Sequence, residues 1–279
     1  GYILVYRFIL VILFYMKFIV NFFMLFQLFF VYGQEINTLF IKAYNLNADK
    51  FIGVDDFDNT FYIHNNILYK TTSRDTFSYA NTQLGEISTV DITNPLKVLV
   101  FFRNFNTVIL LDNRLNELTK PINFTTESFS KNIAFASMSS NNNLWLYSFD
   151  DNILQLWNHQ TRKINFTSQP LTFFNDFEPI KLLSTYESCR LIGKKLMLKF
   201  NEYGTFIESH NIDNTNITSF KEGHIILNKN ALVYHDSFNK SHLININQEV
   251  FIKSFYVNTN HIYIFDTTKI YVFKLSNFE

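Results

Sequence analysis

DITNPLKVLVFFRNFNTVILLDNRLNEL, residues 91–118, contains two strongly apolar runs with only four residues between them. The runs are KVLVFF at 97–102 and TVILL at 107–111, and the turn-prone RNFN separates them. Short runs of Val, Ile, Leu and Phe bounded by Asn, Asp and Arg are typical of strands joined by a tight turn. The stretch therefore predicts a β-hairpin.

The same arrangement recurs along the chain after Glu35. Each copy has one apolar run, a short polar turn and a second apolar run that returns. Six such units can be aligned, at residues 59–72, 97–118, 142–164, 189–207, 223–244 and 260–276.

The spacing of these units indicates the architecture. Between equivalent positions it ranges from 34 residues (Leu191 to Ile225) to 47 residues (Leu144 to Leu191). Four-stranded blades of β-propellers repeat at about 40 to 50 residues. We predict an all-β chain that forms a β-propeller of six four-stranded blades. Five or seven blades, and a two-sheet sandwich, are alternatives that the pattern leaves open.

The segments between the hairpins supply the other strands of each blade. The segment 36–45 has no hairpin of its own, and we expect it to serve as the outer strand of the last blade and so to join the two ends of the ring. The innermost strands are predicted at residues 51–54, 87–90, 133–136, 180–184, 217–220 and 251–257.

The first 34 residues differ from the rest. They are almost continuously apolar, and Arg7 and Lys17 are their only charges. We interpret residues 1–34 as an upstream extension followed by a signal peptide that starts at Met16 and is cleaved before Gln34. A retained membrane anchor is the alternative, because the run is long enough to span a bilayer. Residues 35–279 are then a single propeller domain.

The composition of the chain excludes some classes of function and of covalent structure. The chain has 24 basic and 24 acidic residues, so no overall charge favours nucleic acid. Cys189 is the only cysteine, which excludes an intrachain disulfide, and we expect it to be a buried small apolar residue. The abundance of Asn, Ile, Lys, Phe and Tyr together fits A/T-rich codons better than a binding signature.

No catalytic motif is recognisable. The chain lacks G-x-S-x-G, the phosphate-binding glycine loops and H-E-x-x-H, so we assign no catalytic residue, metal or cofactor. The acidic segment 55–59 fails as a calcium loop because Ile67 stands where Glu is required, and an Asx turn explains it better. The histidines are expected at the surface or at strand edges; they are His64, His159, His210, His224, His235, His242 and His261.

The turns between the second and third strands of the blades are the best candidate for a binding surface. In a propeller these six turns lie on one face of the disc, around the central channel. Such a ring of amides, basic groups and one exposed aromatic suits a protein or a glycan. The predicted binding residues are Arg103, Asn104, Phe105, Lys194, Lys195, Lys229 and Lys269.

The opening stretch also resembles uncharacterised cell-envelope proteins of Bacteroidetes that are predicted to form β-propellers. The resemblance is sharpest in TNPLK (93–97) and FNTVILLDNRLNE (105–117) and extends weakly over most of residues 35–279. It implies an exported propeller in the periplasm or at the outer membrane, and it carries no catalytic motif.

Together these observations predict a non-catalytic interaction or scaffolding module in the bacterial cell envelope. Its expected partners are envelope or outer-membrane proteins, with a glycan as a further candidate, and membrane contact is expected only through an uncleaved N-terminal segment or through a partner. The alternative is a propeller-based enzyme that acts on envelope or extracellular glycans.

Overall fold

The computed structural model describes residues 35–127, 129–174 and 177–276. These residues contain 24 strands and two single-turn 3₁₀ helices, Arg103–Phe105 and Leu171–Phe173. The prediction of an all-β chain is confirmed. The predicted signal segment lies outside the described residues.

The strands form six antiparallel four-stranded blades in chain order. The predicted six-bladed propeller is therefore confirmed. We number the blades 1 to 6 in chain order. Blade 1 contains Lys50–Val54, Thr60–His64, Ile67–Thr71 and Thr76–Tyr79; blade 2 contains Thr89–Asp91, Val98–Phe102, Thr107–Leu111 and Ile122–Asn123; and blade 3 contains Ile133–Met138, Asn143–Ser148, Ile153–Asn158 and Lys163–Thr167.

Blades 4 to 6 follow the same plan, with one difference in the last blade. Only three strands of blade 6 come from the C-terminal part of the chain. Blade 4 contains Pro179–Ser184, Ser188–Gly193, Leu196–Asn201 and Phe206–Asn211; blade 5 contains Ile217–Phe220, Gly223–Asn228, Ala231–His235 and Ser241–Asn245; and blade 6 contains Ser254–Val257, His261–Phe265 and Lys269–Leu275.

The fourth strand of blade 6 is the segment Ile36–Asn45. It pairs antiparallel with Lys269–Leu275, from Thr38 opposite Leu275 to Asn45 opposite Lys269, with a register shift after Phe40. Its first two residues also pair in parallel with the outer strand of blade 5, where Ile36 lies opposite Ile244. The N-terminal strand therefore closes the ring, as predicted.

Burial explains why the central hairpins read as continuous apolar runs. All residues of Val98–Phe102 and Thr107–Leu111 are buried, because both faces of a blade pack against its neighbours. The outer strand Lys163–Thr167 is instead almost entirely exposed. The two central strands of a blade are therefore more apolar than its outer strand.

The hydrophobic core is divided among the six interfaces between neighbouring blades. One cluster of buried side chains lies between each pair of successive blades, including blade 6 and blade 1, where Phe51 packs with Phe265. The cluster between blades 4 and 5 is the smallest, and its buried members are Ile192, Met197, Ile212, Ile217 and Ile226.

A buried arginine supplements that small cluster. Arg190 in blade 4 is 2% exposed. Its guanidinium donates to the Ser219 hydroxyl of blade 5 at 3.0 Å and to the carbonyl oxygens of Glu222 and Gly223 at 3.2 and 3.1 Å. Hydrogen bonds therefore carry part of the contact that apolar packing carries at the other interfaces.

Candidate interaction face

One face of the ring carries the turns between second and third strands together with the connections that lead from each blade to the next. We call it the turn face; the opposite face carries the remaining turns. The inner strand of every blade begins at the turn face and ends at the opposite face. All seven predicted binding residues lie on the turn face.

Arg103, from the blade 2 turn, lies over aromatic rings of blade 3. Its guanidinium carbon is 5.0 Å from the centre of the Phe149 ring and 5.8 Å from that of Phe135. Phe149 makes edge contacts with Phe135 and Tyr147, and burial raises the pKa of Tyr147 to about 12. Cation–π contact with two rings holds the arginine in one orientation across the interface between the blades.

A shallow pocket adjoins this arginine. Phe105 forms part of it and is 48% exposed, and Phe149 nearby is 43% exposed. Lys131, from the connection between blades 2 and 3, forms an ion pair with Asp151 at the pocket rim. The pocket is lined by Arg103, Asn104, Phe105, Asn106, Thr125, Ser130, Lys131, Asn132 and Asp150. We call the pocket together with Phe149 the Arg103 patch.

The structure brings together only three of the predicted binding residues, Arg103, Asn104 and Phe105. Lys194 and Lys195 lie in the blade 4 turn, and the Lys194 ammonium is 2.7 Å from a carboxylate oxygen of Glu178. That hydrogen bond lowers the pKa of the Glu178 carboxyl. Lys229 is exposed in the blade 5 turn, and Lys269 is exposed at the start of the strand that follows the blade 6 turn.

In blades 1, 2 and 5, one asparagine of the central turn holds the hairpin to the connection that follows the blade. The side-chain amide of each donates to one carbonyl oxygen of that connection and accepts the N–H group two residues later. Asn66 binds Gly85 and Ile87, Asn106 binds Lys131 and Ile133, and Asn230 binds Val250 and Ile252, all at 2.7 to 2.9 Å. These amides, which the sequence placed in the binding ring, are occupied within the fold.

Sequence reasoning missed Lys131, and it did not single out Phe149. Lys131 lies in a connection between blades, whereas the predicted binding ring comprises only turns within blades. Phe149 belongs to a turn that was identified, but its exposure depends on how that turn bends. The available signal was that an aromatic residue, Phe149, begins the turn FDDN at residues 149–152.

The inner strands enclose the central channel, and an acidic residue lies at its opposite-face end. Asp91 is the last residue of its strand, and one of its carboxylate oxygens accepts from the Ser137 hydroxyl at 2.5 Å and the Met138 N–H at 2.7 Å. The Ser184 hydroxyl donates to the same oxygen at 3.3 Å. Asp91 thus joins the inner strands of blades 2, 3 and 4.

The predicted Asx turn at residues 55–59 is confirmed. The Asp55 carboxylate accepts the N–H groups of Phe57 and Asn59 at 3.0 and 2.9 Å. Its other oxygen lies 3.7 Å from the buried Lys70 ammonium. In the described part of the chain, no group of three or more His, Cys, Asp or Glu side chains is arranged to hold a metal ion.

The expectation that all histidines lie at the surface or at edges is wrong for three of them. His159, His224 and His242 are at most 8% exposed. The His224 ring stacks on His235 with centroids 5.1 Å apart and lies 5.9 Å from His210. Strand alternation turns the side chains of His224 and His242 toward a neighbouring strand or blade, whereas His159 is buried in the turn that follows its strand.

Cys189 is completely buried, as predicted. Burial in apolar surroundings raises the pKa of its thiol well above the ordinary value. Across the described ranges, no helix is long and apolar enough to cross a membrane.

Comparison with known proteins supports the fold. No protein-family model matches the chain, and no curated protein sequence matches it. Among solved structures, virginiamycin B lyase from Staphylococcus aureus is similar with a TM-score of 0.55 and 12% identity, over 84% of this chain and 99% of the lyase. BamB from Moraxella catarrhalis has a TM-score of 0.51 and 10% identity, over 85% and 99%.

The Pan2 WD40 domain of Neurospora crassa is also similar, with a TM-score of 0.52 and 12% identity over 82% of this chain and 75% of that domain. These three proteins include a lyase and a WD40 domain. At such low identities the likeness concerns the fold alone, and it supports the β-propeller fold of the described residues.

Proposed function

We propose that this chain is an exported, non-catalytic protein-interaction module of a bacterial cell envelope and that it binds its partner through the turn face. The carrying observation is the Arg103 patch, where a fixed arginine and two half-exposed phenylalanines lie beside a pocket. Arginine and aromatic residues dominate the binding energy of protein interfaces. Pre-ordering of Arg103 by two rings reduces the entropy lost on binding.

The envelope location is supported by two sequence features. Residues 1–34 have the composition of an export signal, and residues 93–117 resemble Bacteroidetes envelope propellers. We place the protein in the periplasm or at the outer membrane, with an envelope or outer-membrane protein as its partner.

The proposal is tested by mild cross-linking in the native host, purification of the tagged full chain and mass spectrometry. The test variant replaces Arg103 and Phe105 with alanine. The matched control replaces Arg114 and Leu118, which are also an exposed arginine and an exposed apolar residue of blade 2 but lie on the opposite face.

We expect the wild type and the control variant to recover the same envelope proteins in near-equal amounts. We expect the test variant to recover at least about 10-fold less, because truncating two central interface residues removes several kcal/mol of binding energy. Equal recovery by the test variant and the wild type would refute the turn face as the binding surface.

The alternative, a propeller-based enzyme acting on glycans, predicts a different result. Wild-type protein would then be recovered alone from the soluble periplasm, and it would release products from envelope or extracellular glycans. The fold is compatible with either class, since a lyase and a WD40 domain both share it.

A further inference from the structure

Two lysines occupy equivalent positions on opposite sides of the ring. Lys50 pairs with Ile63 and Lys181 pairs with Ile192, and each isoleucine is the next-to-last residue of the second strand of its blade. The two lysines therefore lie at the same height in the inner strands of blades 1 and 4. In a ring of six blades, blades 1 and 4 face each other across the channel.

Lys181 extends along the channel wall. Its ammonium donates to the carbonyl oxygen of Ile217, the first residue of the blade 5 inner strand, at 3.0 Å. Ile217 lies opposite Ile226, and the neighbouring Leu227 N–H donates to Asn216, so the Ile217 carbonyl points to the free edge of its strand. That edge faces the channel, which places the Lys181 ammonium inside it.

The two positive charges interact and lack a counterion. Burial, and then the charge of Lys50, lower the pKa of Lys181 to about 8, and burial lowers the pKa of Lys50 as well. No ion pair among the described residues includes either lysine. Asp91 lies at the other end of its inner strand, where one oxygen accepts from two serines and the Met138 N–H and the other accepts the Thr93 N–H.

We propose that the turn-face end of the central channel binds a small oxyanion, of the phosphate class, between Lys50 and Lys181. An oxyanion at this position would neutralise the half-buried Lys181 ammonium and the more exposed Lys50 ammonium, and it would accept hydrogen bonds from both groups. The remaining ammonium protons of Lys181, beyond the one bonded to Ile217, are available for this purpose.

This site does not rest on the proposed partner-binding function. It lies at the channel axis, whereas the Arg103 patch lies on the turns of blades 2 and 3. A protein with no envelope partner would still bind the anion.

The test uses the full chain in a non-ionic detergent, with inorganic phosphate as the probe and chloride at equal ionic strength as the reference. Lysines are acetylated briefly with an amine-reactive ester, and peptide mass spectrometry measures the rate at each position. We expect phosphate to slow acetylation of Lys50 and Lys181 by about 10-fold and to leave the exposed Lys195 unchanged. Equal rates at Lys50 and Lys181 with and without phosphate would overturn the proposal.

Calorimetric titration of variants gives a second readout. Lys50→Gln and Lys181→Gln should each weaken phosphate binding at least about 10-fold, whereas Lys195→Gln, the same change on the same face, should leave it unaltered. Binding to the wild type should also weaken as pH rises through about 8, because Lys181 then loses its proton. Equal weakening by all three variants would contradict the site, since it would indicate attraction to the whole face.

Discussion

Asn106 illustrates how one side chain can hold a propeller blade in place. It adopts a left-handed backbone conformation with φ of 51°, and its amide donates to the Lys131 carbonyl at 2.7 Å and accepts the Ile133 N–H at 2.9 Å. A carboxylate has the same shape but cannot donate and would face a carbonyl oxygen.

We therefore expect Asn106→Asp to lower the free energy of unfolding by about 3 kcal/mol, because a buried bond is lost and a charge meets an acceptor. Urea unfolding of purified protein measures this value. Asn104→Asp, two residues away and exposed, is the control and should change stability by less than about 0.5 kcal/mol. Similar losses for both variants would mean that Asn106 has no special role.

His224 makes stability depend on pH. Burial first, and then the nearby charges of His235, Arg190 and His210, lower its pKa to about 3, and Glu208 opposes this shift. In His159, burial together with Lys97 and Arg162 lowers the pKa to about 4. Below the ordinary histidine pKa of about 6.5, the unfolded chain therefore binds protons that the folded chain does not.

Stability should accordingly be full above about pH 6.5 and should fall as pH drops toward 5, by up to about 1.4 kcal/mol per pH unit for each of these histidines. Urea unfolding across this range measures the slope. His224→Gln should reduce the slope by about a third to a half, since His159 and His235, whose pKa is also lowered, continue to contribute. An unchanged slope in that variant would show that His224 is not responsible.

At the scale of strands and interfaces, the contact between blades 4 and 5 depends on Arg190 as well as on apolar packing. Replacing Arg190 with Met removes its hydrogen bonds to Ser188, Ser219, Glu222 and Gly223. Two carbonyl oxygens and two hydroxyls then lose a charged donor in a buried setting. We expect a loss of about 3 kcal/mol in the free energy of unfolding.

Lys199 provides the matched comparison, because its ammonium donates to the same Glu222 carbonyl, at 3.2 Å, from the periphery of the interface. Lys199→Met should cost only about 1 kcal/mol. Denaturant unfolding of both variants gives the comparison. Equal losses would show that the four hydrogen bonds of Arg190 stabilise the fold no more than the single bond of a peripheral lysine.

At the scale of the whole molecule, two shortened chains test the contribution of ring closure by Ile36–Asn45. A chain that begins at residue 36 retains the strand, and one that begins at residue 46 lacks it. The second removes the outer strand of blade 6 and its link to blade 5. Compared with the first chain, its free energy of unfolding should be lower by about 5 kcal/mol and its Tm lower by roughly 10 to 20 °C. Coincident thermal transitions would contradict closure by this strand.

The architecture could be predicted because each blade repeats a pattern that local sequence records. Strands buried on both faces must be apolar throughout, as in 98–102, and their spacing gives the repeat. The closing strand could be predicted from the number of strands, since no segment after the last hairpin was left to form the outer strand of its blade. The first residue of an inner strand was harder to predict: 251–257 was expected and Ser254–Val257 is observed.

The site was less predictable because it depends on contacts between blades. That Arg103 reaches Phe149 requires the two turns to adjoin, and that Lys50 and Lys181 lie at the same height in opposite blades requires strand registers that include bulges. Neither relation is encoded within a single repeat. The polarity of a turn also did not separate amides that hold the fold, such as Asn66, from those free to bind.

The most direct test of the central claim is to map which lysines cross-link to the captured partner. The turn face offers Lys131, Lys195 and Lys229, and the opposite face offers Lys120, Lys221 and Lys240, so one amine-reactive reagent samples both. We predict that cross-links to the partner come from the turn-face lysines, with Lys131 beside the Arg103 patch the most frequent. Cross-links that come mainly from Lys120, Lys221 and Lys240 would contradict the turn face as the interaction surface.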